Sequence, residues 1–114
     1  MSELRSILQA LAVERRRIAL HFLQEHKQMA LADLAELVAE HETGTNLVEL
    51  SAKRVSRVYH ALYHTHIPHL EDADLVVYNQ TNDHISTTDR TNPSLVRARD
   101  NIESLIKAGS ATPA

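Results

Sequence analysis

Ser51-Ala52-Lys53-Arg54-Val55-Ser56-Arg57-Val58-Tyr59-His60-Ala61-Leu62-Tyr63-His64-Thr65, followed beyond Pro68 by Leu75-Val76-Val77-Tyr78 and Ile85-Ser86-Thr87-Thr88, is the stretch on which the fold turns. Ser51 is a good N-cap, and from it an uninterrupted helical period runs over 51–65, with Val55, Val58, Tyr59 and Leu62 as its apolar stripe. Pro68 stops that pattern and leaves room for one short, separate helical turn carrying Ile67 and Leu70. The apolar and β-branched runs at 75–78 and 85–88, parted by the polar residues 79–83, read as a β-hairpin.

Upstream, Leu4, Ile7, Leu8 and Leu11 recur at helical spacing behind Ser2, a residue type favoured as an N-cap. After a break near Ala12, a second helix over 13–26 continues through Ile18, Phe22 and Leu23. Residues 28–31 form a short connection with some strand character. Over 32–42, Leu34, Leu37 and Val38 face away from Asp33, Glu36 and Glu40, an amphipathic helix that Gly44 ends. Downstream, Asn92-Pro93 opens a last helix through Leu95, Ala98, Ile102, Leu105 and Ile106 to Gly109. Helices packed ahead of a hairpin, with a basic helix just before it, give the expected fold class. It is mainly α with a small β-hairpin, a winged helix-turn-helix with flanking N- and C-terminal helices. The expected organisation is a winged-helix domain over 1–90, a dimerisation helix over 91–109 and a disordered tail over 110–114.

A chain of 114 residues has room for one compact domain. Its aromatics are one Phe and three Tyr, so the core is thin and built from aliphatic side chains, and burial against a second copy is a natural supplement. The absence of Cys excludes disulfides, thiolate metal sites and thiol catalysis. No apolar run approaches the roughly 20 residues of a membrane span, and the N-terminus lacks a signal-peptide pattern. The expectation is a soluble, cytoplasmic protein without membrane contact. No nucleophile–base pair, phosphate-binding glycine loop or converging carboxylate pair stands out, so neither enzymatic activity nor a cofactor is expected.

The formal net charge is −3, yet Glu49 and Glu71 bracket an interval with no acidic residue that holds Lys53, Arg54, Arg57 and four histidines. On the helix of 51–65, Lys53, Arg57, His60 and His64 superimpose on one face, with Arg54 at its edge and Ser51 at its start. Such a ridge suits the DNA major groove: its donors reach phosphates and guanine edges while the opposite face holds the core. Gln80, Thr81 and Asn82 would form the wing tip and could reach phosphates or the minor groove. The expected function is a sequence-specific, double-stranded DNA-binding transcriptional regulator acting as a homodimer. Its dimer contacts would come from Leu4, Ile7, Leu8 and Leu11 together with Leu95, Ile102, Leu105 and Ile106.

Other readings compete. Arg15, Arg16 and Arg17 lie about 100° apart on a helix and fit salt bridges with Glu14 or the acidic helix better than one basic patch. His60 and His64 have the spacing of a zinc or nickel pair but no evident third ligand, so no metal is expected. His66 fits hydrogen bonding to backbone groups at the helix end. The acidic face of Asp33, Glu36 and Glu40 would repel phosphates, which leaves open a winged-helix protein–protein interaction module that does not bind DNA.

Three stretches carry a family resemblance: Glu14-Arg15-Arg16-Arg17 with the apolar residues after it, Leu31-Ala32-Asp33-Leu34-Ala35, and above all Arg54-Val55 through Tyr59-His60-Ala61-Leu62-Tyr63-His64-Thr65-His66-Ile67-Pro68-His69-Leu70. Over about residues 8–87 the chain resembles a winged-helix domain family of uncharacterised function abundant in halophilic archaea. The resemblance implies a winged-helix fold and, by analogy, transcriptional regulation. The chain departs from the pattern at Ala73-Asp74, where a Gly is usual in the turn into the wing.

Overall fold

The computed structural model describes residues 2–89. Its elements are α1 (Ser2–Leu11), α2 (Glu14–His26), β1 (Gln28–Ala30), α3 (Leu31–Thr43), a 3-10 turn (Leu47–Glu49), α4 (Ala52–Ala61), a π-helical segment (Leu62–His66), α5 (Ile67–Asp72), β2 (Val76–Asn79) and β3 (His84–Thr87). The fold is mainly helical with a small three-stranded antiparallel sheet in the order β1-β3-β2, in keeping with a winged helix. The expected C-terminal helix and tail, with Leu95, Ile102, Leu105 and Ile106, lie outside the described residues.

The core forms where the apolar stripes of α2, α3 and α4 converge on the sheet. Leu23, Leu31, Leu34, Val38, Leu62, Ile67, Leu70, Leu75 and Ile85 are its largest fully buried side chains. Ile85 is on the central strand, opposite Met29 on one side and Tyr78 on the other, so alternation turns it onto the helices. On β2 the same alternation buries Val76 and exposes Val77.

The connection expected at 28–31 proves to be a strand over its first three residues, with Leu31 already in α3. Gln28, Met29 and Ala30 pair with Ser86, Ile85 and His84, which enlarges the expected hairpin to three strands. The hairpin itself sits one residue from its expected bounds. The Leu75 N–H donates to Leu70 O (3.0 Å), closing α5, while its carbonyl accepts from the Thr88 N–H (3.2 Å) at the end of the ladder.

The helix ends have identifiable causes. Gly44 takes a left-handed conformation (φ 68°) and its N–H donates to Glu40 O (2.9 Å), as its position predicts. A Cβ there would meet nothing within 4 Å, so Gly44→Ala isolates backbone strain. The expected loss is about 1 kcal/mol, visible as a lower urea midpoint; an unchanged midpoint would show that the cap does not depend on glycine. Ser51 Oγ accepts from the Arg54 N–H (3.1 Å), confirming the cap of α4. α2 ends without a glycine, at Lys27 with φ 67°. The turn into the wing uses Asp74 in the left-handed region (φ 58°); Asp is among the few residue types other than glycine that tolerate this region.

Pro68 does not detach a separate turn. The helix continues from α4 to α5 through the π segment, where the Ile67 N–H donates to Leu62 O, five residues back. Pro68 lacks the N–H that would bond His64 O in an α-helix, and its ring would crowd that carbonyl. Widening one turn relieves both. It also shifts the phase, so that Leu62 and then Ile67, five residues on, both face the core; regular spacing would have sent His66 inward with Leu62.

Candidate nucleic-acid interface

The outer face of α4 is solvent-exposed from its cap onward. Ser51, Lys53, Arg54 and Arg57 are exposed, as are His60 and, in the π segment, His64. Among the described residues none of Lys53, Arg54 and Arg57 forms an ion pair. Within α4 their isolation follows from the sequence, because no carboxylate occurs between Glu49 and Glu71 and the neighbours at three and four positions along the helix are neutral or basic; Glu49, four positions before Lys53, lies outside α4 in the 3-10 turn. Val58 and Leu62 anchor the opposite face, with Val55 and Tyr59 half-buried beside them. The His60 and His64 rings stack with centroids 6.0 Å apart. Among the described residues no group of three or more His, Cys, Asp or Glu could hold a metal ion.

The wing stands beside this face. Gln80, Thr81 and Asn82 are exposed at its tip, and the Asn79 side chain accepts from the Thr81 N–H (3.0 Å) to shape the turn. Gln80 also turns toward the helix, its Nε2 donating to Tyr63 Oη at 3.4 Å. Between helix and wing lies an open groove of about 340 Å³ lined by Tyr59, His60, Tyr63, His64, Tyr78, Gln80 and Asp83. Here the Asp83 carboxylate accepts hydrogen bonds from the hydroxyls of Tyr59 (2.8 Å) and Tyr78. Losing a hydroxyl proton beside that anion is unfavourable, so hydrogen bonding to Asp83, followed by burial, raises both phenols above their ordinary value. The chemistry that could have announced this cluster is the need of a half-buried phenol for a polar partner; Tyr78 is five residues from Asp83, whereas the pairing of Tyr59 with it spans 24 residues and has no local pattern.

The three consecutive arginines leave the candidate interface and serve the body of the fold. Arg15 makes a two-pronged ion pair with Glu42 of α3, both contacts 2.6 Å, in accord with the expected salt bridging. Arg16 is only 7% exposed. Its Nη1 donates to Gln9 O (2.8 Å) and its Nε to His66 Nδ1 (3.2 Å). Arg17 Nη1 donates to Leu11 O (2.8 Å). Arg16 and Arg17 thus satisfy carbonyls at the C-terminal end of α1, where cations are favoured and the last turn of α1 has no basic residue of its own.

His66 therefore binds a side chain rather than the backbone groups expected of it. Burial first, then the charges of Arg16 and Arg15, push its pKa below the ordinary value. Protonation would set a second N–H against the Arg16 donor. An unfolded imidazole titrates near 6.5, so this contribution to stability is complete above about that pH and is lost as pH falls through the lower folded value. The His66→Gln variant, whose amide oxygen can still accept, should lose less stability between pH 7.5 and 5.5 than the parent in urea titrations. Equal losses would assign the pH dependence to other groups.

Of the residues expected at a dimer contact, Ile7 and Leu11 pack against the protein's own core, because α1 lies across α2 and α5. Leu4 and Leu8 remain on the outside, 57% and 45% exposed. On the acidic helix Asp33 is exposed and Glu36 and Glu40 are half-buried. No helix among the described residues is long and apolar enough to cross a membrane.

No curated protein and no solved structure matches the chain. A family model described as a domain of unknown function, DUF7344, matches residues 8–86, from within α1 to the penultimate residue of β3, and the chain belongs to that family.

Proposed function

We propose that the protein binds double-stranded DNA through α4 and the wing and acts in the cytoplasm as a homodimeric transcriptional regulator. The observation that carries this reading is the row of exposed cations on α4, Lys53, Arg54 and Arg57, without a carboxylate partner among the described residues and continued by His60 and His64. Uncommitted cations on a helix whose other face is locked into the core are positioned for phosphates and guanine edges. The wing beside them and the resemblance to winged-helix proteins support the same reading. At about 1 M salt the Debye length falls to about 3 Å, so the overall negative charge would not oppose approach in a saline cytoplasm. Leu4 and Leu8 offer apolar area for a second copy, and a two-fold dimer would place its reader helices about 34 Å apart on a palindromic site.

The test is fluorescence anisotropy of a labelled random-sequence 30-base-pair duplex across a salt series, with light scattering for the oligomeric state. Affinity should fall linearly with the logarithm of salt concentration, and the particle should have twice the chain mass. No binding at low salt would replace this reading with a protein-interaction module, which the exposed Asp33 and the acidic face of α3 favour. A monomer would remove the paired-helix geometry.

A further inference from the structure

We propose that Asp83 is the positioning residue of the interface: it clasps the wing to α4 through Tyr59 and Tyr78 and so sets the angle at which helix and wing meet one duplex. The part concerning DNA rests on the reading above, whereas the clasp itself does not.

Asp83 is the residue before β3 and is bonded to three elements at once. Oδ2 accepts from Tyr59 of α4 (2.8 Å), Oδ1 accepts from Tyr78 of β2, and its backbone carbonyl accepts from the N–H of Leu31, the first residue of α3 (2.9 Å). Its φ of 55° is in the left-handed region, a conformation that Asp tolerates better than most residues and that the surrounding bonds hold in place. The aromatic rings complete the joint. Tyr63 stacks near-parallel on Tyr59 (centroids 6.5 Å apart, planes within 9°) and meets Tyr78 edge-on (5.8 Å, 87°).

A short hairpin has little stability of its own. Beyond Tyr78 the tip residues 79–82 are exposed and contribute no buried side chain, so apolar packing cannot fix where the tip points. A carboxylate holding hydroxyls from both sides of the groove does so directionally. The same bonds suit a surface meant for phosphates, since both carboxylate oxygens are engaged inward with phenol hydroxyls.

All three tyrosines of the chain are in this joint and the chain has no Trp, so phenol absorbance reports on nothing else. In an alkaline absorbance titration of the parent, two phenols should ionise above the ordinary range. In Asp83→Ala they should return toward it. In parallel, ¹⁵N relaxation should show residues 79–82 gaining motion in the variant, and duplex affinity should fall about tenfold with the slope of affinity against salt unchanged, because no cation is lost. Tyr78→Phe, which removes one hydroxyl and keeps the ring, should give an intermediate result and serves where Asp83→Ala does not fold. A single ordinary phenol step in the parent, or parent-like tip motion and affinity in the variants, would overturn the proposal. Failure of the parent to bind duplex overturns the DNA reading alone, because the titration and relaxation read the clasp without DNA.

Discussion

Replacing Arg54 and Arg57 together by alanine should weaken duplex binding about 100-fold at low salt, while leaving the protein as stable as the parent. Both side chains are exposed and neither has an ion-pair partner among the described residues. Truncation thus removes no structural contact, and surface changes of this kind stay within about 0.5 kcal/mol. In a complex each guanidinium would bond a phosphate or the edge of a guanine, and one good base contact is worth about 1–3 kcal/mol. Two contacts near the lower part of that range give the stated factor. If both arginines meet phosphates instead, the dependence of log affinity on log salt becomes shallower by about 1.8, the equivalent of two released counterions. Anisotropy at four salt concentrations separates the cases. Parent-like affinity and slope in the double variant would remove α4 as the reader.

Leu62→Ala should be the most damaging single change to stability, at about 2–5 kcal/mol. A small domain has about 5–15 kcal/mol in all, so the variant would sit near the edge of folding. Leu62 is fully buried and opens the π segment, and its carbonyl accepts the Ile67 N–H. Leu62 belongs to one cluster of buried side chains drawn from the helices and the sheet, and a close-packed interior collapses only partly around a lost side chain. The half-buried Val55 on the same stripe supplies the comparison: Val55→Ala should cost distinctly less. Urea unfolding followed by circular dichroism measures both. A loss for Leu62→Ala below that of Val55→Ala would mean that the anchor of α4 is elsewhere.

Signals of short range along the chain were readable without coordinates. The Ser51 cap, the Gly44 stop, the break after α1 and the amphipathic stripes of α3 and α4 each depend on residues within one or two turns, where backbone preferences and side-chain periodicity act directly. The exposed cations of α4 belong with them, since a stretch without carboxylates cannot pair its arginines locally. The hairpin was readable to within one residue. Its neighbour β1 was readable only as a connection with some strand character, because three residues are too few to show alternation and the strand pairs with residues more than 50 positions later.

The remainder arises from meetings between distant segments. Arg16, one of three similar neighbours, is buried because folding brings it from α2 to Gln9 O of α1 and to His66 of the π segment. The π turn answers a conflict between Pro68 and the need to bury both Leu62 and Ile67, which requires a core to be present. Asp83 reads in one dimension as one of the polar residues parting two strand-like runs, and in three as the acceptor for two phenols. Helix-forming preference is a property of neighbours and is inscribed in their order; the partners of a buried polar group depend on which surfaces the collapsed chain brings within 3 Å of one another.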